Sequence, residues 1–142
     1  MSSKKLKQYL KRCNEAISAG DYDLALTEVE NAIFIESDNY TANIFKGKIF
    51  TEQKKFNAAE KIYYKMIELE PEKLLAYRGL GAVYQTANQF DDLLEMNVKM
   101  ILKFEKELGE KRNGIISETI ELATNLENWE IWFKVRVVKI SN

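Results

Sequence analysis

Tyr40-TANIFKGKIFTEQKKFNAAEKIYYKMIELE-Pro71 decides the fold. The stretch reads as a helical hairpin in which Gly47 permits close helix approach, Phe50 fills the core, Phe56 and Ala59 start the second helix and Pro71 stops it. Its columns recur 34 residues away on either side. Cys13, Gly47 and Gly81 share one; Tyr22, Phe56 and Phe90 share another. Ala25, Ala59 and Leu93 follow, then Ile33, Ile67 and Ile101, and more loosely Ala16, Phe50 and Tyr84. One such hairpin cannot bury its apolar face alone, so neighbours must stack and share a continuous core.

The first hairpin begins near Lys5 and ends at Glu36, with Gly20 ending one helix and Asp21 capping the next. Ala25, Val29, Ala32 and Ile33 form the apolar stripe of its second helix, and Ser37-Asp38-Asn39 closes the unit without a proline. The third hairpin, residues 74–104, places Tyr77, Leu80, Gly81, Tyr84, Phe90 and Leu93 in matching columns, and its second helix can run on through Glu105 to Leu108. Asn113-Gly114 then reads as a turn before a helix from Ile115 to Asn125. With Trp129 in the aromatic column, a degenerate fourth hairpin carries about five extra residues. Residues 129–140 suit helix or strand by pattern, and their neighbours favour helix. Ile131, Trp132, Phe133, Val135, Val137, Val138 and Ile140 either fold back as a cap or are covered by a following repeat or a second chain. Trp129, Trp132 and Phe133 are the candidate C-terminal interface.

A 34-residue period with small residues in one column and an aromatic nine positions later resembles the tetratricopeptide family. The expected fold is all-α: a tetratricopeptide helix-turn-helix solenoid in a single domain, 1–142. Its regular repeats are 5–39, 40–73 and 74–105, and the degenerate hairpin is 113–141.

The 142 residues are 46% hydrophobic and 30% charged, ordinary for a folded domain, and the net charge is −1, so no global attraction to nucleic acid or an anionic membrane follows. Cys13 is alone and sits in the small-residue column, which marks it as buried structure and suits a reducing compartment. The first residues, polar and basic, carry no secretory core, and no apolar window is long enough for a membrane span. Histidine is absent, which removes the usual general base and zinc ligand, and no phosphate loop or metal spacing is present. Neither catalysis nor a cofactor or metal is expected.

Function is then expected on the inner wall, formed by the first helix of each hairpin. Stacking would expose Lys7, Leu10, Asn14 and Ile17 there, with Ile44, Lys48, Thr51 and Glu52 from the second unit and Leu75, Arg78, Ala82 and Gln85 from the third. Lys7, Leu10, Asn14, Ile44, Lys48, Arg78 and Gln85 are the candidate partner-binding set. Co-chaperone tetratricopeptide domains clamp an acidic C-terminus with two lysines, two asparagines and an arginine. At the matching positions this chain keeps Asn14 alone and has Leu10, Phe45, Leu75 and Gly79 elsewhere, so a terminal carboxylate lacks a charged partner. A general peptide-binding adaptor without that clamp is the alternative. Lys4, Lys5, Lys7, Lys11 and Arg12 could touch RNA phosphate, but no aromatics interleave to stack bases, which makes RNA a weakly supported partner.

Residues 39–48, NYTANIFKGK, and 68–80, ELEPEKLLAYRGL, together with Met1-Ser2-Ser3-Lys4 and the Asp21-Tyr22 to Ala25-Leu26 turn, resemble the N-terminus of the superkiller complex's tetratricopeptide scaffold subunits. That resemblance implies a non-catalytic scaffold. Its partners would be a helicase, a WD-repeat protein and exosome-linked subunits in cytoplasmic 3′-to-5′ mRNA decay; the lone cysteine and the polar start, read by themselves, suit the cytoplasm or the nucleus.

Overall fold

The computed structural model describes residues 2–141, with backbone alone described at Ser2, Ile140 and Ser141. Met1 of the opening stretch and the Ile140 side chain therefore lie outside what can be compared. All regular structure among the described residues is helical: α1 (Ser2–Ser18), α2 (Tyr22–Ile35), α3 (Tyr40–Glu52), α4 (Phe56–Leu69), α5 (Leu74–Thr86), α6 (Phe90–Lys103), α7 (Glu105–Leu108), α8 (Lys111–Asn125) and α9 (Trp129–Ser141). The chain divides into two compact units, one ending at Gly79 and the other starting at Leu80.

The turn inside each hairpin has the same backbone. Gly20, Lys54 and Asn88, 34 residues apart, all have positive φ, and so does Glu127. In each case the next residue donates back five positions: Asp21 N–H to Ala16, Lys55 to Phe50, Gln89 to Tyr84 and Asn128 to Ala123, at 2.8–2.9 Å. This double-bonded helix ending satisfies carbonyls that would otherwise be orphaned, and it usually takes glycine because a Cβ is costly there. Only the first hairpin supplies one. The geometry of the fourth turn makes α8 and α9 a hairpin of the same kind.

In the N-terminal unit α1 packs on α2, α2 on α3 and α3 on α4, and α1 also meets α3. The core is small and aliphatic, built on Cys13, Ala16, Ala25, Val29, Ala32, Ala42 and Ile49, with Tyr9, Tyr22 and Ile33 partly buried against it. Asp21 caps α2 by accepting from Leu24 N–H at 3.1 Å, and Asn39 caps α3 by accepting from Ala42 N–H at 2.9 Å. Asn43 does the work of the missing proline: its side-chain amide donates to the carbonyls of Ser37 at 3.0 Å and Asn39 at 2.8 Å. Gly47 does permit close approach, since a Cβ there would lie 2.6 Å from Tyr63 Cζ. Gly79 faces the same ring from α5, and a Cβ there would intrude on Tyr63 Cε1 more deeply still. Tyr63, 3% exposed, thus lies between two glycines, and its hydroxyl shares a hydrogen bond with Thr51. Phe50 departs from expectation: it is half-buried, with Lys46 and Lys55 Nζ 5.6 and 5.5 Å from its ring centre.

In the C-terminal unit α6 packs on α8 and α9, and α8 on α9. Val98, Ile101, Ile116 and Val135 form the buried cluster. Two expectations are corrected here. α6 does not run on to Leu108: it ends at Lys103, and Phe104, 1% exposed, breaks the chain before the one-turn α7. Asn113-Gly114 is not a turn but lies inside α8, which starts at Lys111. The turn is made instead by Gly109, with φ +52°. The buried Arg112 then draws the next helix in, donating from Nε to the Ile101 carbonyl at 3.1 Å.

Candidate functional site

Helix packing makes the first-helix side of the N-terminal unit the inner one. α1 and α3 meet, whereas α2 and α4 make at most marginal contact, so the second helices splay. The start of α5 is held to the same side: Tyr40 Oη accepts from Ala76 N–H at 3.0 Å, and Gly79 closes on Tyr63. Lys73, at the turn before α5, lies 4.5 Å from the Tyr40 ring centre and pairs with Glu70.

Of the expected partner-binding residues, Lys7, Asn14, Lys48 and Arg78 are exposed in this unit, and Leu10 and Ile44 are half-buried beside them. Leu75 is 54% exposed. Gln85, also exposed, belongs to the C-terminal unit. Two inner-wall residues are corrected. Ile17 is 8% exposed and part of the core, and Thr51 is buried, donating to the Gly47 carbonyl at 2.8 Å. Both fall where helical phase turns toward the neighbour: Ile17 joins the core around Cys13 and Val29, and Thr51 meets the Tyr63 hydroxyl. Gly79, read as an empty clamp position, is empty because of that ring.

Chemistry at the buried groups is muted. Burial pushes the Cys13 thiol up to about 11, and the nearby Glu28 carboxylate adds to it, so the thiolate is not formed at neutral pH. Burial likewise pushes the Tyr63 phenol well above its ordinary range. No cluster of three His, Cys, Asp or Glu able to hold a metal occurs among the described residues, and none of their helices is long and apolar enough to cross a membrane.

The C-terminal candidates split between two faces of α9. Val135 is buried, and Ile131 and Val138 are partly buried against Val98, Ile101 and Ile116, so this part of the apolar run does fold back. Trp129, Phe133 and Val137 are 51, 63 and 62% exposed, spaced four residues apart along one ridge. Trp132 is half-buried, edge-on to Trp129 and Phe133, with the Arg136 guanidinium 4.9 Å from its ring centre.

No family model matches the chain. It is 34% identical over 125 residues to Superkiller complex protein 3 of Mus musculus, covering 86% of the chain and 8% of that protein. The Homo sapiens protein is 31% identical over 142 residues, covering 95% and 9%. Tetratricopeptide repeat protein 37 of Xenopus laevis is 37% identical over 91 residues, covering 64% and 6%. The chain thus spans less than a tenth of the length of these relatives. Among solved structures, the Arabidopsis OM64 TPR domain superposes with a TM-score of 0.71 at 13% identity, covering 85% of this chain and 98% of that one. The second TPR domain of human RPAP3, solved with an HSP70 peptide, gives 0.67 at 14%, covering 84% and 98%. These likenesses show the fold: α1 to α9 form an all-α tetratricopeptide solenoid, three regular repeats and a degenerate fourth.

Proposed function

We propose that this tetratricopeptide-repeat chain, whose sequence resembles superkiller complex protein 3, is a non-catalytic protein-interaction scaffold corresponding to the N-terminal arm of a superkiller-type assembly. The observation that carries the reading is the 34% identity sustained over 86% of the chain, far beyond what shared repeat columns alone would require. The exposed Lys7, Asn14, Lys48 and Arg78 support it, being polar side chains on the inner face that the packing does not use. On this reading the chain is one solenoid domain acting in the cytoplasm, its partners are the helicase, WD-repeat and exosome-linked subunits, and the work is assisting 3′-to-5′ mRNA decay.

The test is reconstitution. The chain, mixed with purified helicase and WD-repeat subunits of a superkiller complex, should co-elute with at least one of them in size-exclusion chromatography. Separate elution of a chain shown by circular dichroism to be helical would overturn the assignment. The adaptor alternative has in its favour the RPAP3 domain that shares this fold and was solved with a peptide; the four departures at clamp positions weigh only against recognition of a terminal carboxylate.

A further inference from the structure

The two helical layers of the N-terminal unit carry opposite charge. The first helices, α1, α3 and α5, hold eight Lys or Arg against two acids, Glu15 and Glu52. The second helices of the first two hairpins, α2 and α4, hold five acids against two lysines. A chain of net charge −1 has therefore been sorted, cation inward and anion outward. On α1 the sorting opposes local stability: three lysines sit in the first two turns, where the helix dipole disfavours cations, and no acid precedes Glu15.

The inward cations are also unspent. Lys46 pairs with Glu30 across the layers at 2.7 Å, but Lys4, Lys7, Lys11, Lys48 and Arg78 are exposed, with no ion pair among the described residues. On α1, Lys4, Lys7 and Lys11 recur at three- and four-residue spacing on the side away from Leu6, Tyr9 and Cys13, which face the core. Lys7 is one turn before Leu10, Lys48 one turn after Phe45 and Arg78 one turn after Leu75. Three of the four clamp positions lacking a donor, Leu10, Phe45 and Leu75, thus have a cation one turn away, and Leu10, Ile44 and Leu75, each three or four residues from one of these cations, have apolar surface to offer. Positive charge is spread along the layer, not gathered at one point.

We infer that this layer binds an extended, internal segment of a partner protein in which acidic and apolar residues alternate. Spread cations suit spaced carboxylates, and the interleaved Leu10, Ile44 and Leu75 suit the apolar residues between them. A nucleic acid would use the cations but leave those apolar groups without partners, since no exposed aromatic among them can stack a base. The inference rests on the scaffold reading above and gives its inner face a ligand chemistry.

The test uses the intact chain and a short fluorescent peptide alternating Glu and Leu, with an amidated C-terminus, read by anisotropy. Binding should weaken roughly tenfold from low to physiological salt. Each of Lys7→Glu, Lys48→Glu and Arg78→Glu should weaken it roughly three- to tenfold, while Lys61→Glu on α4 leaves it within about twofold. The free-carboxylate peptide should bind no better than the amide. Three results would overturn the inference: no binding of the amidated peptide, unchanged binding in the triple variant, or tighter binding of oligouridylate at the same residues. The salt arm needs no variant, so a misfolded mutant does not decide it. Absent peptide binding with co-elution of superkiller subunits intact removes this inference alone, whereas lost co-elution with peptide binding intact removes the assembly.

Discussion

The two units solve the same packing problem by different means. In the N-terminal unit a single ring, Tyr63, closes on backbone at Gly47 and Gly79, and Asp21 and Asn39 cap two of its helix starts, as Asn128 caps α9 in the other unit. In the C-terminal unit the equivalent column glycine, Gly81, has ordinary room: a Cβ would sit 3.7 Å from Met100 Cε. Its α6 starts at Phe90, after a Gln89 that makes no side-chain cap, and its break at Phe104 is held by the buried Arg112. A repeat column therefore does not define an environment. What matters is what the facing helix places opposite it.

The largest way to break this contrast is to remove the ring. Tyr63→Ala should cost about 3–5 kcal/mol in urea unfolding, the range for truncating a buried large aromatic. In the same measurement Gly79→Ala should cost roughly 1–3 kcal/mol by overpacking, whereas Gly81→Ala should stabilise by up to about 1 kcal/mol through helix propensity. Combining Gly79→Ala with Tyr63→Ala should recover most of the glycine penalty. An additive double variant would show that the ring is not what excludes the methyl.

Next comes the C-terminal device. Arg112→Ala leaves the Ile101 carbonyl without its partner and should cost about 1–3 kcal/mol. Arg112→Lys should restore little of it, since the bond uses Nε of the guanidinium. A smaller effect should be common to both units. Lys54→Gly and Glu127→Gly each relieve a left-handed residue and should stabilise by about 1 kcal/mol, seen as a rise in melting temperature. Equal gains would confirm that the fourth turn is built like the second.

At neutral pH the smallest effect belongs to Cys13, whose contribution changes only in the alkaline range. Because its folded pKa, about 11, exceeds the unfolded value near 9.0, the native state binds more protons above pH 9, and stability falls as pH rises from 9 toward 11. Cys13→Ala should flatten that part of the stability profile measured by urea titration, and an unchanged slope would assign the fall to other groups.

The hairpins of residues 2–104 were legible because periodicity reports which faces must be buried, and Gly20, Asp21, Phe56, Pro71 and Phe90 each mark a boundary chemically. What was not legible depended on the partner surface. Nothing in the local sequence says that Lys54 and Glu127 adopt positive φ, since neither is glycine or asparagine and the turn is imposed by bonds to the preceding helix; at Asn88 the residue type itself favours it. Asn113-Gly114 misled because a strong turn pair is tolerated mid-helix where Gly114 meets open space and Gly109 already makes the reversal. Of the inner-wall set, Lys7, Asn14, Lys48 and Arg78 are exposed, whereas Ile17 and Thr51 are packed.

The charge sorting between layers has a kinetic consequence. With a net charge of −1 the chain exerts almost no pull on a distant partner, but opposite charge on two faces of one unit gives it a moment that turns it as a charged surface comes within roughly 8–10 Å at ordinary salt. Its long-range electrostatics would then select orientation and not encounter frequency, so that a collision is more often face-on with the inner helices than chance would give.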